Sequence, residues 1–372
     1  MPDAPSESLK TTPLDRLHRA LGAKMVPFAG YLMPLHYPDG ILAEHNHVRA
    51  GAAVFDASHM GQAAIIGADA AAQLETLVPG DIAGLKPGRM RYTLLTNDRG
   101  GIVDDLMATR RDGSIALVVN ASRKNIVFPH LALALKGRAR VELYPERALL
   151  ALQGPRAAAA LARLAPMADQ LPFMAGADMP VADIPCFVTR SGYTGEDGFE
   201  ISCAAEFAEK IAERLFALPE VKPAGLGARD SLRLEAGLCL YGQDLDETTT
   251  PIEANLAWTI GPRRRAEKNF PGASVILGQL ARGPERKRVG IRLDGKAPAR
   301  AGAGLALPDG TPVGAITSGG FGPSVNGPVA MGYVASAAAS PGTPINAIVR
   351  DKPLPARVVP LPFVPHRYHS TR

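Results

Sequence analysis

Short apolar runs, each closed by Gly, Asp, Asn or Arg, recur through the first third of the chain. QAAIIG (Gln62–Gly67), YTLLTN (Tyr92–Asn97), IVDDLMAT (Ile102–Thr109) and IALVVN (Ile115–Asn120) each read as a strand, with NDRGG and RRDGS as hairpin turns between them. An antiparallel meander over residues 60–120 follows. Elsewhere the apolar spacing changes to three and four, the helical period. One helix is predicted to open at Ser122, and another after Gly154–Pro155, where proline suits a first turn. AEFAEKIAERLFAL (Ala205–Leu218) combines an apolar stripe with i,i+4 charge pairs. A helix from about Ala228 to Leu238 sets Arg229 and Arg233 on one face, four residues apart. CFVTRSGYTGEDGFEIS (Cys186–Ser202) reads as two strands joined by a glycine-rich turn. After Arg263 the texture becomes Gly/Pro-punctuated strand, as in PDGTPVG, TSGGFGPS and PGTPINAIVRDKPLP. The pattern predicts an α+β body over residues 1–265, a boundary near 265–285, and an all-β barrel or sandwich over 285–366.

The length of 372 residues also asks for more than one core. Net charge is +5, mild for this length and spread along the chain. The one dense basic run is RRRAEK (Arg263–Lys268); its plain reading is a solvated loop, its other reading a docking edge for an acidic partner or a polyanionic tail. No zinc-ligand spacing and no RNA-binding aromatic motif accompanies it, so no nucleic-acid partner is expected. Cys186, Cys203 and Cys239 are far apart and without CxxC spacing, which argues against a disulfide framework or a metal cage and suits a reducing compartment. The opening MPDAPSESLKTTPL is polar, and no apolar run reaches about 18 residues. Neither a secretory leader nor a membrane span is expected, and a soluble cytoplasmic protein is.

Four constellations could carry chemistry. In GGIVDDL (Gly100–Leu106) two carboxylates, Asp104 and Asp105, sit inside an apolar strand, where a charge must be solvated, paired or employed. Alternation sends them to opposite faces, so one at most is expected in a given cavity; an edge strand with solvated acids remains the competing reading. In SGYTGEDGFE (Ser191–Glu200) the glycines would admit a ligand close to the backbone, while Tyr193 and Glu200 offer a stacking face and an acceptor. GLGARDSLRLEAG places Arg229 near a helix N-terminus, where the dipole disfavours a cation unless an acid or an anionic ligand is near. In EHNHVR, His45 and His47 are spaced for a metal but lack a completing set, and read as surface or helix-edge histidines with no metal. Phosphate loops, nucleophile elbows and dinucleotide fingerprints are absent.

The segments MVPFAGYLMPLHY, FDASHMG, LLTNDRGGIVDDL, LVVNAS, LALQGP, RSGYTGEDGFEIS, GLGARDSLRLEAGLCLYGQDLDETTTP, FPGASVI and MGYV together resemble the T-protein family of the glycine cleavage system, the aminomethyltransferases. The resemblance runs nearly end to end. It implies a three-domain cloverleaf around a central funnel, the body being two α+β subdomains that need not be continuous. It also implies transfer of the one-carbon unit of an aminomethyl group, carried on the dihydrolipoyl arm of an H-protein, to tetrahydrofolate. The products would be 5,10-methylene-tetrahydrofolate, ammonia and the dihydrolipoyl carrier. Carried over by position, the catalytic aspartate is Asp104. Folate or substrate contacts are Met60, Tyr92, Asn120, Tyr193, Glu200, Arg229 and, in the C-terminal HRYHS, Tyr368. No metal enters the implied chemistry. The implied compartment is a bacterial cytoplasm, or a mitochondrial matrix in a eukaryote. A folate-dependent demethylase and a non-catalytic folate-binding relative are the alternatives that share the scaffold.

Overall fold

A computed structural model describes residues 9–370 of the chain. The segment before residue 9, where part of the polar opening was read, lies outside the described residues. Helix α1 (Asp15–Ala20) leads into a hairpin of β1 (Lys24–Phe28) and β2 (Tyr31–His36), then α2 (Gly40–Ala50). Strand β3 (Ala52–Asp56) follows, buried at all five positions.

The chain then departs from β3 to build a separate unit. It consists of β4 (Gly61–Ile66), α3 (Ala70–Glu75), β5 (Met90–Thr96), β6 (Ile102–Arg111), β7 (Ser114–Val119), α4 (Lys124–Ala134) and β8 (Arg140–Leu143). Its antiparallel strands form a five-stranded sheet ordered β5-β6-β7-β4-β8. The alternation that predicted these strands is realised as a two-sided sheet. Ile115, Leu117 and Val119 enter the core with Leu95, Leu106 and Val127, while Ala116 and Val118 face the other way.

On its return the chain forms β9 (Arg147–Gln153), antiparallel to β3, and then α5 (Ala157–Ala162), β10 (Ala175–Val181), β11 (Ile184–Arg190), β12 (Gly198–Ala204), α6 (Ala208–Phe216) and β13 (Val221–Pro223). These strands give a six-stranded sheet ordered β10-β11-β12-β9-β3-β13. The helix predicted from Ala205 begins as a 3₁₀ turn and becomes α6 at Ala208; Ala208, Ile211, Ala212 and Leu215 bury its apolar stripe on this sheet. Burial of the two larger side chains, Ile211 and Leu215, contributes ~1.5–3 kcal/mol each. The body is thus discontinuous, one sheet being interrupted by a complete second unit.

Helix α7 (Leu226–Glu235), then α8 (Pro262–Glu267) and α9 (Ala273–Arg282), lead to the C-terminal strands. These are β14 (Arg286–Leu293), β15 (Gly304–Ala306), β16 (Pro312–Gly322), β17 (Gly327–Ala335), β18 (Pro344–Val349) and β19 (Lys352–Val359), a closed barrel ordered β14-β17-β16-β15-β18-β19. Closure leaves no sheet edge to template another strand. Helix α7 packs on β16 and β17, so it touches both body and barrel.

The basic run is not a solvated loop. Arg264 is fully buried and donates to the carbonyls of Glu75 and Val78, while Arg263 pairs with Glu75, Asp81 and Glu267. Arg265 donates to the carbonyls of Ile260 and Ala257. The run staples the α8 segment to the 61–143 unit. His45, read as a surface residue, is likewise fully buried, 3.2 Å from Glu235 and bonded to Ser231 and Ser324. Its ring ties α2 to α7 and the barrel loop.

Candidate active site between the two body sheets

The acid pair lies on β6, between β5 and β7 in the five-stranded sheet. The double glycine before it answers a local need: a Cβ at Gly101 would stand 1.8 Å from the Glu247 carbonyl oxygen, and Gly100 has φ +83°. The β5–β6 register then slips by one residue, with Leu95 opposite Asp104 but Thr96 opposite Ile102. Such bulges bend a strand and re-aim its side chains.

Alternation survives in the burial: Asp104 is 0 % exposed, whereas Asp105 is half-buried on the face it shares with Tyr92 and Met107. The expectation that the two acids could not meet does not survive. The Asn120 amide donates to Asp104 Oδ1 at 2.8 Å and to Asp105 Oδ1 at 2.7 Å. The Asn120 backbone N–H donates to Asp104 Oδ2 at 3.3 Å. Tyr92 Oη donates to Asp105 Oδ2 at 3.0 Å.

Burial, and then the neighbouring Asp105 charge, push the Asp104 carboxyl up to about 8. Burial also raises Asp105, against the bonds from Tyr92 and Asn120. Each carboxyl of this close, buried pair makes the other harder to ionise. Tyr92 is raised well above its ordinary range by burial and by Asp105, so it stays a neutral donor.

Across from this pair stands the Tyr193–Arg229–Glu200 group. Arg229 lies over the Tyr193 ring, 4.8 Å from its centroid, and Tyr193 Oη donates to the Cys239 carbonyl. Glu200, raised by burial and lowered in part by Arg229, accepts from Ser191 Oγ at 3.1 Å. Arg229 Nη1 is buried without a hydrogen-bond partner. The neighbouring acid Asp230 bonds Arg233 instead. A buried donor left open beside a flat aromatic face is a seat for an acceptor from a ligand.

The glycines of SGYTGEDG serve the protein and not a ligand. A Cβ on Gly192 would fall 1.9 Å from Gln153 Oε1, and one on Gly198 2.4 Å from Gln153 Nε2. The turn closes around the buried Gln153, which donates to the Ser191 carbonyl and accepts from Thr194.

A cavity of about 670 Å³ opens between the two body sheets, with Val118, Ala116 and Gln62 on one wall and Glu200, Thr189 and Ser202 on the other. That volume falls within the usual range for a small-molecule site. Arg111 and Asp178, 2.5 Å apart, bridge the two walls. Glu200 joins this cavity directly. Met60 sits half-buried in the β3–β4 turn, outside the lining, and Tyr368 stacks on Phe173 with centroids 4.3 Å apart. Asn120 spends its amide on the acid pair, so it acts as a holder of that pair.

Two residues escaped the sequence reading. Asp105 is given no role among the residues carried over from the family, yet it is the acid that meets Tyr92. Trp258, the single tryptophan of the chain, stacks on Tyr92 with centroids 5.6 Å apart. No local pattern pointed to Trp258, because its partner is more than 160 positions away in the chain.

Of the site groups Glu200 alone lines the cavity, and the acid pair, Tyr193 and Arg229 lie outside its lining; buried acids with raised carboxyls and a cation with an open donor mark an enzyme site that handles protons on a polar ligand. Family models narrow this class. Residues 14–264 match the GCVT N-terminal domain, and residues 286–365 match the glycine cleavage T-protein C-terminal barrel domain. The chain is 49% identical to the mitochondrial aminomethyltransferase of Gallus gallus, covering 98% of this chain and 95% of that protein. It is 46% identical to the mitochondrial aminomethyltransferase of Homo sapiens, covering 98% and 93%. It superposes on the crystal structure of the glycine cleavage system aminomethyltransferase T from Bartonella henselae with TM-score 0.93 and 47% identity, covering 98% of this chain and all of that one. The chain belongs to the glycine cleavage T-protein family, the aminomethyltransferases.

Proposed function

We propose that the chain moves the one-carbon unit of an aminomethyl group, held as a thioether on the dihydrolipoyl arm of an H-protein, to tetrahydrofolate. The observation that carries this is the pairing of a buried acid dyad with the open Nη1 of Arg229 and the Tyr193 face. A folate fits those groups: a flat pterin to stack, ring N–H groups for Glu200, and acceptors for Arg229.

The reaction replaces the carbon's bonds to sulfur and to the amine by bonds to the two folate nitrogens. Two protons leave those nitrogens, one for the thiolate and one for ammonia, and nothing is oxidised or reduced. The family resemblance gave the catalytic role to Asp104. We assign to Asp105 the place beside the reacting carbon, because it is the less buried of the two acids and is held by Tyr92 Oη. Its carboxylate can hold the aminomethyl ammonium and stabilise positive charge as ammonia departs. Asp104, protonated below about pH 8, can supply a proton beside it. Tyr92 and Asn120 keep both oxygens of Asp105 in place.

Near-full-length identity to named aminomethyltransferases does not favour the demethylase or the non-catalytic alternative. Relatives named mitochondrial and three buried free cysteines support a reducing compartment, either cytoplasm or mitochondrial matrix. The test is ammonia release from aminomethylated H-protein, with and without tetrahydrofolate. Folate-stimulated release with methylene-tetrahydrofolate as product is the expected result; turnover of a methylated amine or sulfur donor instead would overturn it.

A further inference from the structure

Past the last barrel strand the chain runs back over the body. Its segment 363–368 belongs to none of the sheets, and Pro365, His366 and Arg367 are exposed. The segment is nonetheless bonded along its length. The N–H groups of Phe363 and Val364 donate to the Glu235 carbonyl at 2.9 and 3.0 Å, and His366 Nε2 bonds the Ala236 carbonyl at 2.8 Å. These are carbonyls at the close of α7, where a helix has no partners of its own to offer. Arg367 then crosses to the Ser191–Gly198 turn. Its N–H donates to the Gly195 carbonyl at 2.8 Å and its Nη2 to Glu196 Oε1 at 2.6 Å. The same Nη2 donates to the Arg49 carbonyl at 2.8 Å, and Tyr368 ends the segment against Phe173.

Those two anchors carry the two halves of the folate seat. Tyr193 lies on the turn, two residues before Gly195, and Arg229 lies on α7, over the Tyr193 ring. The seat therefore depends on how turn and helix are set against each other. They meet at Gly195, where a Cβ would stand 2.9 Å from that of Ala236. A small joint holds them there. Glu196 is 1 % exposed, and its Oε1 accepts from Arg49 Nη1 at 2.7 Å as well as from Arg367. Arg49 also donates to the Thr194 carbonyl and to Glu235 of α7. Glu196 Oε2 is buried without a hydrogen-bond partner. The joint thus rests on one carboxylate oxygen and two arginines from distant parts of the sequence, and losing either cation leaves a buried charge half-held.

We propose that segment 363–368 is a strap that pre-organises the tetrahydrofolate seat, with Arg367 as its positioning residue. This rests on the folate reading proposed above. Arg367 touches no ligand group in this account; it acts on Tyr193 through Gly195 and Glu196. A turn freed from the strap would have to be ordered as folate binds, and that ordering lowers affinity. The acid dyad and Tyr92 belong to the 61–143 unit, to which the strap makes no hydrogen bond among the described residues. The chemical step and the carrier should be spared.

Wild-type tetrahydrofolate binding is measured first, by equilibrium dialysis; its absence would refute the folate reading itself. Given binding, Arg367→Ala should weaken it about three- to tenfold and raise KM for tetrahydrofolate in step. Both kcat and KM for aminomethylated H-protein should stay within about twofold. Arg367→Lys, which keeps the charge, should recover part of the loss. Amide hydrogen exchange over residues 191–198 should quicken in Arg367→Ala and slow again when tetrahydrofolate is added. A chain ending at Pro365, which keeps Phe363 on its apolar contacts with Leu234, Val329 and Met331, should show at least the Arg367→Ala defect. Wild-type affinity in Arg367→Ala, or unchanged exchange over the turn, overturns the strap and leaves the folate reading standing. So does an equal rise in both KM values, which would make the segment a general structural joint. Should the shortened chain fail to fold, the two point variants still decide.

Discussion

The two ends of helix α7 carry arginines four residues apart, and they have opposite surroundings. At Arg233 every bond is made. Its guanidinium holds Asp244 at 2.8 Å and Asp230 at 2.8 Å, and donates to Ser318 Oγ at 2.9 Å. Asp244 in turn accepts from Thr317 and Ser318 of β16, which a bulge between Ile316 and Ser318 brings to one carboxylate. Glu235, on the last turn, is pulled down to about 2 because hydrogen bonds from His45 and Ser324, with the nearby cations, outweigh its burial. At Arg229 the same residue type lies over an aromatic ring with a buried donor left open. Burial alone does not distinguish a site from a joint. Between these two arginines the difference is how completely the guanidinium is satisfied: that of Arg233 is held by two acids and a hydroxyl, whereas that of Arg229 keeps a donor open over a flat ring.

The largest expected effect lies on the unsaturated side. Asp105→Asn should cut methylene-tetrahydrofolate formation by ~10²–10⁴-fold, as for loss of a positioned proton-handling group, with folate affinity retained in equilibrium titration. If Asp104→Asn alone produced that loss, the role would return to Asp104. Next comes the saturated side: Arg233→Ala leaves Asp244 buried without its cation and should cost ~3–5 kcal/mol in denaturant unfolding. Arg229→Ala should barely move the unfolding midpoint, yet weaken tetrahydrofolate binding by about ten- to a hundredfold through loss of a charged hydrogen bond. A destabilisation there equal to that of Arg233→Ala would erase the contrast.

The smallest effect is a matter of pH. The folded carboxyl of Asp104 sits near 8, above its unfolded value, so the folded chain holds this proton more tightly. Its contribution to stability is complete below the ordinary carboxylate range, about 4, and is lost as pH rises through about 8. Asp104→Asn should flatten that fall in a series of melting temperatures between about pH 4 and pH 9. An unchanged slope would assign the fall to another group.

Legibility followed sequence distance. Strands β4, β6 and β7 and helix α6 were visible because alternation and helical spacing are local, and each stripe is buried as written. The barrel was visible as texture, since a closed small sheet needs many turns. The site was visible where a residue type looked out of place: Arg229 at a helix start, two acids in an apolar strand. What stayed hidden depends on contacts between distant segments. The roles of Arg263–Arg265, of His45 and of Trp258 follow from Glu75, Glu235 and Tyr92, and no spacing rule links those positions. The proposed choice of Asp105 over Asp104 rests on burial and on the bond from Tyr92, thirteen positions away, which composition does not encode.

The interrupted sheet has a consequence for how the chain acquires its form. Strand β3 pairs with β9 and β13, Asp56 meeting Leu150 and Ala52 meeting Val221, while all five strands of the intervening unit pair among themselves between Gly61 and Leu143. During synthesis that inner unit, with the acid dyad on it, is complete before any partner of β3 has been made. Long-range pairing is the slow part of folding, because loop closure is entropically costly before contacts repay it. The acid pair is therefore in place before Arg229 is made, and the cavity exists only when the outer sheet has closed around an already finished insert.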